Sequence, residues 1–265
     1  MNVYLREMKA HRMGLVWWCL GMIALVSSGM AKYAAYETAG GSITAIFDAL
    51  PRAVLVVFGM QGFDLTKASG FFGVLFLYIA VMAAIHAALL GASLISKEER
   101  DRTSEFLYAK PISRGAALTA KLLAGLTSVV ILNIATSVSS VYFVDYFSKG
   151  EPVGNEITLL MVGLLFLQLI FFTMSALVAG VVKRPKAAPS IATSIMFLTF
   201  LIAYLVNMSE KLDFLRYVTP FKYFDALALL TEAKLDPLYV GISVVIVVLS
   251  VFGTYYFYDR RDLAV

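Results

Sequence analysis

The sequence is poor in the residues that build catalytic, metal and disulfide sites. Its 265 residues include one cysteine and two histidines. Cys19 has no partner for an internal disulfide, and His11, His86 and one cysteine do not form an H-E-x-x-H or Cys/His zinc pattern. No Gly-Lys dipeptide occurs, which excludes the phosphate-binding loop G-x-x-x-x-G-K-[ST]. We therefore predict no catalytic residues, no metal and no bound cofactor for this chain.

Charge is also scarce. Charged residues make up 15% of the sequence and hydrophobic residues 60%, with a mean hydropathy of +0.81. A soluble domain carries about 25% charged residues, because its surface must face water. The composition therefore predicts an integral membrane protein. The positive net charge of +4 comes without a basic stripe interleaved with aromatic residues, so nucleic-acid binding is not expected.

Six apolar runs are long enough, or nearly so, to cross a bilayer. They are Gly14–Ala31, Gly70–Ile95, Leu122–Val144, Ile157–Val182, Ala187–Val206 and Leu238–Tyr258. About 20 apolar residues in a helix cover a hydrocarbon core of ~30 Å. The runs are continuous rather than alternating, which favours helices over a barrel. The predicted fold is an all-α membrane protein with six transmembrane helices in a single domain, residues 1–265. The shorter run Ala53–Met60 is predicted to be interfacial or partly re-entrant.

The distribution of Lys and Arg orients the six predicted spans. With both termini in the cytoplasm, 14 of the 22 basic residues and 7 of the 18 acidic residues fall on the cytoplasmic side. An excess of Lys and Arg is typical of cytoplasmic segments, so both termini are predicted to be cytoplasmic. The first run is too long for the apolar core of a typical signal peptide, so we expect it to be retained.

The segment between the second and third spans has a different composition. Residues 96–115, SKEERDRTSEFLYAKPISRG, contain nine charges in twenty residues. Ser96 and Glu99 fit a capping box that would start a new helix, and Glu98 and Arg102 are spaced for an ion pair within it. Proline at 111 would end this helix, and Ser113 would cap the next one.

This charged segment has two interpretations. The first is a solvated loop that only carries cytoplasmic charge. The second is a docking surface for a partner, because exposed aromatic residues on a charged helix are typical of such surfaces. Phe106, Leu107 and Tyr108 favour the second.

The same segment resembles a motif of ABC-2 type permeases, the membrane subunits of ABC transporters. The family pattern is an acidic pair, basic residues, Thr, Glu, an apolar doublet and Pro-Ile/Val-Ser-Arg before the third span. Here it appears as Glu98-Glu99, Arg100, Arg102, Thr103, Glu105, Phe106-Leu107 and Pro111-Ile112-Ser113-Arg114. Many relatives have Gly where this chain has Arg102, which bears on the local turn. Residues 219–229, TPFKYFDALAL, and 255–263, YYFYDRRDL, are similar to an external segment and a basic ending of the same family.

The resemblance implies a partnership with a separate ATPase. In such transporters two permease subunits, identical or related, assemble in the membrane, and ATPase subunits that bind ATP and Mg dock from the cytoplasm on a coupling helix between spans two and three. The implied contact residues are Glu98, Glu99, Arg102, Thr103, Glu105, Phe106, Leu107, Pro111, Ile112, Ser113 and Arg114. The implied role is export across a bacterial inner membrane, with residues 1–13 as an amphipathic interfacial helix. In that helix Val3, Tyr4 and Met8 would face lipid, and Arg6, Lys9 and Arg12 would reach lipid phosphates. The alternative is that residues 1–13 are only a basic flank of the first span.

Polar residues inside the spans are few. His86, Asn133 and Gln168 are compatible with lining a substrate path and with bridging helices by hydrogen bonds. The external segment 207–237 is expected to contain short helices, and its Phe221, Tyr223 and Phe224 are expected in an aromatic belt at the interface.

Two other functions remain open at this point. One is an ATPase-independent pore or scaffold that recruits a different cytosolic partner through residues 96–115. The other, more distant, is an intramembrane hydrolase with His86 as the base for a serine on another span.

Overall fold

A computed structural model describes residues 2–39, 51–103, 112–150 and 153–260 of the chain. Over these ranges the chain forms helices and no strands. The α-helices are α1 Val3–Ala39, α2 Arg52–Val57, α3 Ala68–Arg100, α4 Arg114–Phe147, α5 Gly154–Val181, α6 Ala188–Met208, α7 Ala226–Glu232 and α8 Pro237–Asp259. Two 3-10 helices, Glu210–Tyr217 and Pro220–Lys222, lie between α6 and α7.

Six of these helices are long and apolar enough to cross a membrane: α1, α3, α4, α5, α6 and α8. Each contains most or all of one predicted apolar run, so the all-α fold with six spans is confirmed. The helices extend beyond the runs where polar residues continue the helical hydrogen bonding. The short run at 53–60 forms only the six-residue α2 and the turns after it.

The first helix is continuous from Val3 to Ala39. Residues 3–13 are therefore the first three turns of the span rather than a separate helix. The side chains of this stretch also differ from the prediction. Val3 is buried, the hydroxyl groups of Tyr4 and Thr127 are 3.1 Å apart, and the sulfur of Met8 accepts a hydrogen bond from Ser128. Tyr4 and Met8 therefore contact α4, and Val3 is buried in the protein rather than exposed to lipid. The place of residues 1–13 at the membrane interface stays a prediction.

Helix α3 is central to the bundle and packs against α1, α4, α5 and α6. Small buried residues on α3 allow this close packing, as in many membrane helices. The tightest contact of α3 with another described helix is at Gly91, where an added Cβ would lie 2.2 Å from the carbonyl oxygen of Phe172 on α5. Backbone atoms at this distance cannot move independently of their helix, so Gly91 fixes the separation of α3 and α5.

We expect Gly91→Ala to destabilise the protein by about 1–3 kcal/mol, because the methyl group overpacks the contact between α3 and α5. Thermal unfolding in detergent would measure the loss. Gly241→Ala is the matched control, since an added Cβ at position 241 meets no atom within 4 Å. Equal melting temperatures for the two variants would contradict the close approach.

The chain between α6 and α8 folds back over one end of the bundle. As predicted, it contains short helices, and Asp225 caps α7 by accepting hydrogen bonds from the backbone N–H groups of Leu227 and Ala228. The prediction of an aromatic belt was wrong for Tyr223 and Phe224, which are 5% and 3% exposed. Phe224 stacks on Phe166 of α5 at 5.5 Å, so these rings belong to the core.

Candidate coupling site

The charged segment begins differently from the prediction. Helix α3 continues through Ser96 to Arg100, so Ser96 does not start a new helix. Its side chain is fully buried, and its hydroxyl donates to the carbonyl oxygen of Ala92 at 2.9 Å. The capping box was therefore wrong. No proline or glycine interrupts residues 92–100, and serine is tolerated in a helix when it bonds to the carbonyl four residues earlier.

The end of α3 is a Schellman motif. The N–H of Thr103 donates to the carbonyl of Glu98 at 2.8 Å, and that of Arg102 to the carbonyl of Glu99 at 3.4 Å. Arg102 has φ of 55°, in the left-handed region that glycine adopts most easily. The predicted helical ion pair between Glu98 and Arg102 was wrong, because the helix has ended before Arg102. The family preference for Gly at this position now has a geometric reason.

We expect Arg102→Gly to raise the stability of this turn by about 1 kcal/mol, because an L side chain is strained in the left-handed conformation. The measurement is thermal unfolding of the purified chain. Thr103→Gly is the control, since the next residue is not at positive φ and should gain nothing. A lower melting temperature for Arg102→Gly would contradict the assignment.

Glu98 points into the bundle, not out toward a partner. Its carboxylate accepts from Arg6 of α1 at 2.9 Å and from Lys121 of α4, and 6% of the side chain is exposed. Lys121 is fully buried and also donates to the carbonyl of Leu94 at 2.9 Å. Glu98 therefore joins α1, α3 and α4 at the base of the charged segment.

A second carboxylate extends this group. Glu7 is fully buried on α1, and its oxygens lie 2.6 Å from Arg6, 3.3 Å from Lys97 of α3 and 3.7 Å from His11. We call Arg6, Glu7, Lys97, Glu98 and Lys121 the charge cluster. Buried charges cost several kcal/mol each unless paired and hydrogen-bonded, and here every carboxylate oxygen contacts a cation. The cluster therefore stabilises the contact of α1, α3 and α4 only while its pairs are complete, because removing one member leaves another charge buried without its partner.

Six of the other ten predicted contact residues lie within the described ranges, and four do not. Thr103 and Arg102 are exposed beyond the end of α3, and Glu99 is half-buried. Ser113 caps α4 as predicted, its hydroxyl accepting from the N–H of Ala116 at 3.2 Å. Ile112 is half-buried. The rest, Glu105, Phe106, Leu107 and Pro111, lie outside the described residues, as does the predicted helix around them.

Arg114 links the segment to the last helix. Its guanidinium donates to the carbonyl oxygen of Asp259, near the end of α8, at 3.1 Å. One turn further along, the hydroxyl groups of Thr119 and Tyr255 are 2.7 Å apart. The start of α4 is thus bound to α8 as well as to α1 and α3.

On the exposed side of the segment, Arg100 and Asp101 pair with each other. The guanidinium of Arg100 donates to the Asp101 carboxylate at 2.9 Å, which lowers the pKa of that carboxyl. Both side chains are more than a third exposed, so this pair contributes little to stability.

The three polar residues within the spans do not come together as one group. Asn133 of α4 donates to the side-chain oxygen of Gln168 at 3.1 Å and to the carbonyl of Met161 at 3.2 Å, both on α5. This geometry favours the helix-bridging interpretation for Asn133 and Gln168. His86 lies elsewhere, on a cavity of about 160 Å³ between α1 and α3, edge-on to Trp18 at 5.2 Å.

Sequence reasoning missed the partners of Glu98. Arg6 was assigned to lipid phosphates, Lys121 was placed outside the third span, and Glu7 had no assigned role. One signal was present: Lys121 lies two turns after the Ser113 cap on a continuous helix, so it needs a nearby acid if the helix is buried.

A family model described as ABC-2 family transporter protein matches residues 1–263. The chain belongs to the ABC-2 family of transporter proteins. Among curated proteins no match is found. The protein is therefore a multi-pass membrane permease of an ABC transporter. Members of this family are the transport component and not the ATPase, and they associate with ABC ATPase subunits.

Proposed function

We propose that this chain is the permease subunit of an exporter, driven by a separate ATPase that docks on residues 96–115 from the cytoplasm. The ATPase supplies the ATP and Mg sites, and a second permease subunit, identical or related, completes the transporter in a bacterial inner membrane. The observation that carries the proposal is the charge cluster, which joins the base of this segment to α1, α3 and α4.

The cluster gives the segment a mechanical role. A partner that moves Arg102 and Thr103 also moves Glu98 at the end of α3, because backbone hydrogen bonds tie Thr103 to Glu98 and Arg102 to Glu99. A displacement of Glu98 also moves α1 and α4, because its carboxylate is bonded to Arg6 and Lys121. The hydrogen bond from Arg114 to Asp259 extends the displacement from α4 to α8. A motion at one loop therefore reaches four helices through short polar contacts.

ATP can change the permease only if its two conformations contact the ATPase differently. Arg102 and Thr103 are exposed on the segment, and in this proposal they contact the ATPase. The apolar doublet Phe106-Leu107 would add buried area at about 25 cal/mol per Å². Glu98 acts inside the permease in this scheme, which replaces its predicted direct contact with the ATPase.

The orientation is tested by thiol labelling. In a Cys19→Ser background, single cysteines replace Ser104 or Phe214, and a membrane-impermeant maleimide is added to intact cells and to inverted vesicles. We expect position 104 to react only in inverted vesicles and position 214 only in intact cells. The reverse pattern would place the segment on the outer side and exclude a cytoplasmic ATPase.

The partnership is tested by ATP hydrolysis. The tagged chain, purified in mild detergent, should bring down an ATP-hydrolysing subunit, and the two together in proteoliposomes should show ATP-dependent export. The chain alone should neither hydrolyse ATP nor export substrate. If the chain alone forms an ion-conducting or open pathway without ATP, the function is that of an independent pore.

A further inference from the structure

A cavity of about 350 Å³ lies at the other end of the bundle from the charge cluster. It is bounded by α2, α3, α5, α6 and the chain that leads into α7. Its volume falls within the usual range of small-molecule sites, about 300–1,000 Å³. Neither the family match nor the coupling site assigns a ligand to this cavity.

Most of the cavity wall is apolar and aromatic. The lining rings come from Phe63, Phe76, Phe200, Tyr204, Phe221 and Phe224. Neighbouring rings hold these side chains in place: Phe200 meets Phe221 at 5.3 Å, and Phe224 stacks on Phe166 at 5.5 Å. The cavity is therefore formed before any ligand enters.

One side of the cavity is polar. Lys222 donates to the side-chain oxygen of Asn207 at 2.9 Å and forms an ion pair with Asp225. Asp225 is held in turn by the N–H of Leu227 at 3.1 Å. Two of the three N–H donors of Lys222 are thus directed to protein partners.

The charges on this polar side balance each other. A head group with a net charge would gain attraction from one member of the Lys222–Asp225 pair and meet repulsion from the other. A head group without net charge can use the remaining donors and acceptors without breaking the pair. A wholly polar molecule would lose its hydration against the aromatic wall without replacement.

We propose that this cavity binds an amphiphile with an apolar body and a head group of zero net charge. The body lies among the phenylalanine rings, and the head meets Asn207, Lys222 and Asp225. Binding stands apart from the proposed function, and only the identification of the amphiphile as the transported compound rests on it.

The experiment uses the full-length chain without any ATPase. Native mass spectrometry measures binding of three probes with the same lauroyl chain: zwitterionic lysophosphatidylcholine, anionic lysophosphatidylglycerol and cationic lauroylcholine. We expect the zwitterionic probe to bind about tenfold more tightly than either charged one. Equal dissociation constants for the three probes would overturn the proposal.

Filling the cavity tests its location. Ala80 and Ala203 line it from α3 and α6 and are nearly buried. Ala80→Phe and Ala203→Phe should each weaken binding of the zwitterionic probe about tenfold or more. Leu205→Phe is the control: it adds volume to α6 at a side chain that is 48% exposed, and it should leave binding unchanged. Wild-type affinity in both filled variants would overturn the proposal.

A charge change tests the polar side without altering volume. Asp225→Asn keeps the helix cap, because Asn and Asp cap about equally well, but leaves Lys222 unbalanced. The preferred probe should then change to the anionic lysophosphatidylglycerol, with an affinity gain of about tenfold. An unchanged order of affinities would overturn the proposal even if the filled variants fail to fold. Because no ATPase is present, either result is independent of docking at residues 96–115.

Discussion

Glu98→Gln should destabilise the protein by about 3–5 kcal/mol. The substitution keeps the shape of the side chain but removes the negative charge paired with the fully buried ammonium of Lys121, which is left among neutral acceptors such as the carbonyl of Leu94. Arg6 keeps its second partner, Glu7, at 2.6 Å. The loss therefore comes mainly from one unpaired buried cation, and thermal or SDS unfolding would measure it.

The same pairing predicts an order of stability among related variants. Lys121→Met alone should cost less than Glu98→Gln, because Glu98 still has Arg6 at 2.9 Å. The double variant Glu98→Gln/Lys121→Met should recover most of the loss, since replacing both members of a buried pair is often neutral. Asp101→Asn, in the exposed pair with Arg100, is the control and should change little. A double variant less stable than either single one would contradict the pairing.

The second large effect is expected on function. Glu105→Lys and Phe106→Ala should each weaken ATPase association about tenfold or more, or uncouple ATP hydrolysis from transport. The first reverses a charge in the docking segment and the second removes apolar contact area. Membrane insertion should be intact, because both residues fall between the second and third apolar runs of the sequence.

Co-purification of the ATPase and substrate-stimulated hydrolysis measure this effect. Phe214→Ala is the matched control: it removes an aromatic side chain that is 66% exposed in the 3-10 helix after α6. Unchanged association and unchanged coupling in both segment variants would remove Glu105 and Phe106 from the docking surface.

The six spans could be predicted because the signal is local. A run of about 20 apolar residues encodes its own helix in lipid, whatever the neighbouring helices are. The cap at Ser113 was predictable for the same reason, since it depends on residues 113 to 116 alone. The turn at Arg102 was only partly predictable: the departure from glycine was visible, but not the left-handed backbone.

The charge cluster could not be predicted, because its members are up to 115 residues apart in sequence. Glu98 was assigned to a docking helix, as an ATPase contact spaced for an ion pair with Arg102. Its direction depends on where α1 and α4 pack against α3, which no local pattern contains. The same cause explains Tyr223 and Phe224, which the sequence placed in a belt and the fold places in the core.

We propose that an ATPase acts on the permease through residues 96–115, and photocrosslinking from within this segment is the decisive test. A photoreactive residue is placed at position 106 in the full transporter, with position 214 as the control site. The account predicts an ATP-sensitive crosslink to a nucleotide-binding subunit from position 106 and none from position 214. A crosslink from 106 only to lipid or to another permease chain, with the ATPase present, would contradict it.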